Sequence, residues 1–123
     1  MSAILIVDRQ VQTRHKIRET FAKSGENICA EWDDVWHVEE QTKRFEPDLV
    51  ILGLPDESEE CFQLLESLKA SFSRVPVFLV LDKYDYRLEK RLLKLGVAAV
   101  FRRDKDPAAI LRNARAICEA RFG

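Results

Sequence analysis

Five short apolar runs recur along the chain, and a segment of mixed polar and apolar positions follows each of them. The runs predict strands at 3–7, 27–31, 49–52, 77–81 and 97–101, of which the second is the weakest. Continuous apolar runs of this length are typical of strands that are covered on both faces of a parallel sheet. The pattern therefore predicts a sheet that is buried between two layers.

The segments between these runs have apolar residues at helical spacing, and their ends have the residues that start or stop helices. The first helix is expected to end at Ser24–Gly25, and the fourth at Gly96. The second is expected over 35–45, with Asp33–Asp34 as its cap, and Ser58 or a neighbouring residue is expected to cap the third. Asp106 is expected to cap the last helix, with Pro107 at its first position.

Strands and helices thus alternate five times in a chain of 123 residues. This order predicts an α/β fold, a doubly wound parallel sheet of five strands with helices on both faces, in three layers. The length allows one domain, and we expect it to span residues 1–123.

Composition narrows the function without identifying it. A net charge of −1 gives no basis for direct nucleic-acid binding or for binding to a membrane surface. No apolar run approaches the length of a membrane span, and the N-terminus has no signal-peptide pattern. Three well-separated cysteines favour reduced thiols in a cytoplasmic protein, and His15 and His37 are expected on solvent-facing helix surfaces, with no metal or other cofactor.

Four segments in order resemble the receiver domain of two-component response regulators, which has a flavodoxin-like (CheY-like) fold. They are Ile4–Asp8, Pro47–Leu52, Val75–Leu81 and Gly96–Arg103. The stretch from Arg103 to Leu111 is most similar to the LuxR/NarL-type branch, whose receivers precede a helix-turn-helix. The resemblance covers essentially the whole chain and implies a regulatory domain that is not an enzyme.

The resemblance also implies a phosphorylation pocket, and most of its side chains are replaced. The first acidic position is Asp8, but the second is Arg9. The phosphoacceptor position is Gly53, the Ser/Thr position is Leu81 and the lysine position is Arg103, while Cys61 replaces a usual glycine. Glycine has no side chain to phosphorylate, and one carboxylate beside an arginine is a poor Mg²⁺ site.

Several interpretations of this pocket remain open. Asp8, Arg9 and Arg103 are expected to lie together, either as an internal ion-pair network, which we favour, or as an anion or nucleotide sensor. A third possibility is phosphorylation at a substitute acceptor, Asp8 or Asp56. Cys61 lies near a helix start, where a reactive thiolate would be favoured, although a small apolar filler is the simpler interpretation.

A second candidate site is a surface that contacts a protein partner. Tyr84 and Tyr86, near the start of the fourth helix, with Arg102 and Arg112, form a possible interaction surface. The aromatic candidates also include Trp32 and Trp36, of which at least one is expected to be partly exposed.

The sequence therefore predicts a degenerate receiver that works by protein contact without phosphorylation. It would bind a protein partner or form a homodimer, through the face of the fourth helix, fifth strand and fifth helix or through the first and fifth helices. A DNA-binding domain beyond the last helix is a further possibility.

Overall fold

The computed structural model describes residues 3–83, 85–104 and 107–122 and confirms the predicted α/β fold. Five strands form one parallel sheet in the order β2-β1-β3-β4-β5. The strands are β1 (Ala3–Val7), β2 (Asn27–Trp32), β3 (Leu49–Gly53), β4 (Val77–Leu81) and β5 (Ala99–Arg102). The helices are α1 (Val11–Lys23), α2 (Val38–Phe45), α3 (Glu59–Ser71), α4 (Tyr86–Lys94) and α5 (Pro107–Phe122).

The sheet separates two apolar cores, because alternate residues of each strand point to opposite faces. On one face Ile4, Ile6 and Phe78 pack against α1 and α5. On the other face Leu5, Val50 and Leu79 pack against α2, α3 and α4. The predicted three layers are therefore present, and every residue of the central strands β3 and β4 is buried.

Most of the predicted helix ends are confirmed. The Ser58 hydroxyl accepts a hydrogen bond from the N–H of Cys61 at the start of α3. Gly96 follows α4 with a φ of 97°, a left-handed conformation that favours glycine. The predicted cap Asp106 lies outside the described residues.

One predicted boundary was wrong, and one predicted helix differs in its first turn. The helical segment expected over 35–45 has these bounds and the expected cap, since the Asp34 carboxylate accepts the Trp36 N–H at 3.0 Å, but its first turn, Val35–His37, is a 3₁₀ helix. The strand expected over 97–101 pairs only from Ala99 to Arg102, since the turn at Gly96 leaves Val97 buried but outside the ladder.

Candidate functional site

The carboxyl ends of the parallel strands bring the predicted pocket residues to one edge of the sheet. Asp8 directly follows β1, and Gly53 ends β3. Leu81 ends β4 and pairs with Arg102, so Arg103 lies just beyond the end of β5. Ligand sites of open α/β sheets form at this edge, next to the point where the strand order reverses.

Asp8 is the centre of the pocket and is almost completely buried, with 2% of its surface exposed. One carboxylate oxygen, Oδ2, accepts a hydrogen bond from Nη1 of Arg103. The other, Oδ1, accepts the backbone N–H of Gln10 at 2.9 Å. The carbonyl oxygen of Asp8 accepts a further hydrogen bond from the guanidinium of Arg14. Both carboxylate oxygens therefore have partners within the protein.

The Asp8 carboxylate lies where a side chain at position 53 would have to start. A Cβ built on Gly53 would be 2.1 Å from Oδ2 of Asp8 and 2.4 Å from its Cγ. Such distances are far inside van der Waals contact, so the two side chains cannot coexist without displacing the carboxylate. Since the φ of Gly53 is not positive, the backbone itself does not require glycine there. The requirement for glycine comes from Asp8.

Arg103 neutralises Asp8 and also reaches two residues that the sequence did not point to. Its Nη1 donates to Oγ1 of Thr13 at 3.0 Å, and its Nε donates to Oδ1 of Asp82 at 2.5 Å. Burial alone lowers the pKa of Arg103, but the hydrogen bonds and charges of Asp8 and then Asp82 outweigh it, so the pKa is raised overall. Arg103 is thus a permanent cation with three side-chain acceptors.

The prediction that Arg9 joins this cluster was wrong. Arg9 is exposed and lines a separate groove of about 280 Å³ with Asp33, Asp34, Trp36 and others. The chain leaves β1 after Val7 and bends at Arg9, so the Asp8 side chain is buried at the strand end while that of Arg9 is exposed. A pocket in which Arg9 and Arg103 hold one anion together is therefore not formed.

Leu81 is buried, with 4% of its surface exposed, and belongs to the core beneath α4. An aliphatic side chain cannot donate a hydrogen bond, so this position offers nothing to a phosphate. The residue that follows it, Asp82, is directed to Arg103 instead. The polar side of the pocket is therefore an internal ion-pair network.

These residues do not fit the Mg²⁺ that receiver domains use. Mg²⁺ needs several oxygen ligands in an octahedron. Here the guanidinium of Arg103 donates a hydrogen bond to Oδ2 of Asp8, and the backbone N–H of Gln10 donates one to Oδ1. The next residue, Arg9, offers no oxygen ligand in its side chain. Within the described ranges, no three His, Cys, Asp or Glu side chains are grouped as metal ligands.

Asp56, the other substitute acceptor considered from the sequence, is directed toward α3. Its carboxylate accepts the N–H of Ser58 at 2.8 Å and the thiol of Cys61 at 3.3 Å. These hydrogen bonds, those with Ser58 first, and the charge of Arg9 lower the pKa of Asp56. The geometry makes Asp56 a loop-stabilising residue next to the α3 cap.

Cys61 is not the reactive thiolate that the helix start suggested. The side chain is 1% exposed, and this burial is the main reason that the pKa of the thiol is raised. The hydrogen bond that it donates to Asp56 also favours the protonated form. Cys61 packs in the core on the α3 side of the sheet, as the apolar-filler interpretation predicted.

The candidate interaction residues are on the surface, as far as the structure describes them. Tyr86 is 66% exposed, and Arg102 and Arg112 are exposed, although Arg102 pairs with Asp104 at 2.9 Å. Tyr84 lies outside the described residues. The exposed aromatic expected at the second helix is Trp36, which is 50% exposed.

Comparison with known proteins finds solved structures with the same fold. No family model matches the sequence, and no curated protein matches it. Among solved structures, the signal receiver domain of the response regulator NarL from Mycobacterium tuberculosis is 19% identical, with a TM-score of 0.80 over 96% of each chain. A response regulator from Desulfuromonas acetoxidans is 16% identical, with a TM-score of 0.84 over 98% of each chain.

A third similar structure was solved with a phosphate mimic. The isolated receiver domain of RcsB from Salmonella enterica serovar Typhimurium, in the presence of BeF3⁻, is 13% identical, with a TM-score of 0.83 over 96% of this chain and 88% of that one. These likenesses show that the chain has the fold of response-regulator receiver domains. No helix in the described parts of the chain is long and apolar enough to cross a membrane.

Proposed function

We propose that this chain is a receiver-fold signalling module that acts through protein contacts, independently of phosphorylation. One observation carries the proposal: the Asp8 carboxylate, held by Arg103, fills the space where a phosphoacceptor side chain at position 53 would start. With no nucleophile at that position and no free carboxylate for a metal, the pocket has neither part that phosphoryl transfer requires. The domain is therefore not an enzyme, and its expected location is the cytoplasm.

The surface of α4 is the best-supported contact site. Tyr86 and Leu93 are 66% and 44% exposed, and their spacing of seven residues puts them on one face of the helix. Lys90 is on the same face, with its Nζ 4.8 Å from the centroid of the Tyr86 ring, so Tyr86 and Leu93 are the apolar parts of a mixed surface that could contact a protein. The occupant is a protein partner or a second copy of the chain, and a linked DNA-binding domain would make the whole protein a transcription regulator.

The phosphorylation part of the proposal is tested with the phosphate mimic itself. Mg²⁺ with beryllofluoride is added to ¹⁵N-labelled protein, and amide shifts are followed by NMR. We expect no defined shifts at Gly53, Leu81 or Arg103, whereas the RcsB receiver domain, used as the control, should respond. A saturable change centred on Gly53 in this chain would overturn the proposal.

The contact surface is tested by paired substitutions on opposite helices. Leu93→Ser on α4 should weaken self-association in sedimentation experiments if α4 forms the contact. Val11→Ser on α1, which removes an apolar side chain that is 64% exposed, is the matched control. A larger effect of Val11→Ser would instead favour the alternative face of α1 and α5. A protein that is monomeric at all concentrations would eliminate the homodimer and leave the protein partner.

A further inference from the structure

A groove lies between α1 and β2, the outermost strand on one side of the sheet. Its volume is about 680 Å³, within the range of clefts that hold small ligands in proteins. The first turns of α1 form one wall, and the end of β2 with the residue after it forms the other. Gly53, Leu81 and Arg103 do not line it, so the groove is separate from the degenerate pocket.

The groove has more basic than acidic side chains. Three cations, Arg14, Lys16 and Arg18, line it together with two carboxylates, Glu31 and Asp33. The chain as a whole has a net charge of −1, so the local excess of positive charge is a property of this groove. Clefts in which charges of one sign prevail attract ligands of the opposite sign.

Arg14 has donor groups that the protein leaves unused. Its side chain is only 16% exposed, and one of its nitrogens, Nη1, donates to the carbonyl oxygen of Asp8. Oε1 of Glu31 lies 3.8 Å from Nε of Arg14, which is too far for a hydrogen bond. Among the described residues, no atom accepts a hydrogen bond from Nη2 or Nε of Arg14. A guanidinium that is mostly buried and keeps free N–H groups is suited to bind an anion.

Glu31 is directed to the other arginine of the groove. Its Oε2 accepts a hydrogen bond from Nη1 of Arg18 at 2.7 Å, and Nη2 of Arg18 lies 2.9 Å from Nδ1 of His15. Both terminal nitrogens of Arg18 therefore have partners within the protein, whereas Arg14 has a free one. An entering anion could bind Arg14 without breaking the ion pair of Arg18 and Glu31.

Apolar side chains line the groove beside these charges. Val11, the first residue of α1, is 64% exposed, and Trp32, the last residue of β2, is half-buried. We propose that the groove binds a small organic anion, whose carboxylate or phosphate group contacts Arg14 and whose apolar body covers Val11 and Trp32. This inference goes beyond the proposed function and does not depend on it, because it uses neither Gly53 nor α4.

The site is tested by NMR titration of the ¹⁵N-labelled full chain with naphthoate and with naphthyl phosphate. We expect saturable amide shifts in residues 11–18 and 31–33, and the tighter of the two probes shows which head group the site prefers. Naphthylmethylammonium, which has the same body and a positive charge, should not bind. Inorganic phosphate should bind roughly tenfold more weakly than the preferred probe, because it has no apolar body to bury.

Two substitutions should change the affinity for the preferred probe in opposite directions. Arg14→Gln should weaken binding roughly tenfold, as expected for the loss of a hydrogen bond to a charged group. Glu31→Gln removes a competing negative charge and should strengthen binding about two- to fivefold, the range for a partly exposed charge pair. The matched control is Arg87→Gln, which removes an exposed arginine of α4 and should leave the affinity unchanged.

Several results would overturn this assignment. The groove is not an anion site if neither naphthyl anion gives saturable shifts there, or if the ammonium compound binds equally well. Equal affinities of the native chain, Arg14→Gln and Glu31→Gln would show that these two residues do not form the site, and inorganic phosphate binding as tightly as the preferred probe would eliminate the apolar part. Each of these results would leave the absence of a nucleophile at Gly53 untouched, whereas a response to beryllofluoride would overturn the proposed function alone.

Discussion

The close approach of the Asp8 carboxylate to Gly53 predicts that a methyl group added at position 53 lowers the free energy of unfolding when residue 8 is Asp. The same methyl group should raise that free energy when residue 8 is Ala. In the native chain, Gly53→Ala places a Cβ 2.1 Å from Oδ2 of Asp8. The carboxylate is buried and held by Arg103, so it cannot move aside freely. We expect Gly53→Ala to reduce the free energy of unfolding by about 1–3 kcal/mol, the usual cost of overpacking a core.

The same substitution should be harmless or favourable once the carboxylate is gone. Asp8→Ala alone should cost about 3 kcal/mol, near the lower end for breaking a buried ion pair, because Arg103 keeps Asp82 and Thr13 as partners. In that background the methyl group added at position 53 enters vacated space. Since alanine in a strand loses less chain entropy than glycine, Gly53→Ala should then stabilise the protein by about 0.5 kcal/mol.

Urea unfolding of the four proteins, followed by circular dichroism at pH 7, measures this difference. A domain of this size is expected to unfold in one step, and a change of about 2 kcal/mol moves the midpoint by about 1 M at a typical slope. Gly53→Ala combined with Asp104→Ala is the control and should be additive, because Asp104 is on the surface and pairs with Arg102. An equal cost of Gly53→Ala with and without Asp8 would refute the interpretation.

Two further predictions concern the start of α3. In a chain with Cys29→Ser and Cys118→Ser, Cys61 should react with a thiol reagent at pH 8 more slowly than an unstructured cysteine, because burial raises the pKa of its thiol and blocks access. The reaction should become faster in urea, and a fast reaction in native buffer would contradict this prediction. The pKa of Asp56 is below its ordinary value of 3.8, so the native state binds fewer protons there than the unfolded state. The stabilising effect of the Asp56 charge is therefore present above that value and lost as pH falls through the folded pKa. The difference in free energy of unfolding between the native protein and Asp56→Asn should therefore shrink from pH 5 to pH 2.5. A constant difference would show that the charge of Asp56 is not involved.

Much of the fold could be predicted because its signals are local. Each strand is a continuous apolar run, and the helix ends have capping residues such as Ser58 and Gly96. The wrong boundary lies where a tertiary contact decides it: Val97 is apolar enough for a strand but lies before Ala99, the first residue of β5 that pairs with β4. The 3₁₀ turn at Val35–His37 is a local detail within a helical segment whose start and cap were predicted.

The pocket was predictable in part because parallel strands end at one edge. This rule brings Asp8, Gly53 and Arg103 together, and the structure does so. The rule does not predict the direction of the Arg9 side chain, because Arg9 lies in the bend after β1 and not in the strand. Thr13 and Asp82 carry no sequence signal for their role, since their contacts with Arg103 span 90 and 21 residues and arise only from packing.

The replaced residues of the pocket depend on one another, and this is what the sequence alone could not show. Considered separately, Gly53 means only that a nucleophile is missing, and Arg103 means only that the lysine of the receiver pattern is replaced. In the structure, the absence of a side chain at Gly53 makes room for the Asp8 carboxylate, and Arg103 supplies its charge partner. An aspartate restored at position 53 alone would therefore enter occupied space and bring a second negative charge beside a buried one. Asp8 and Arg103 form an ion pair that fills the space left at Gly53, so no single substitution converts the pocket into a phosphorylation site.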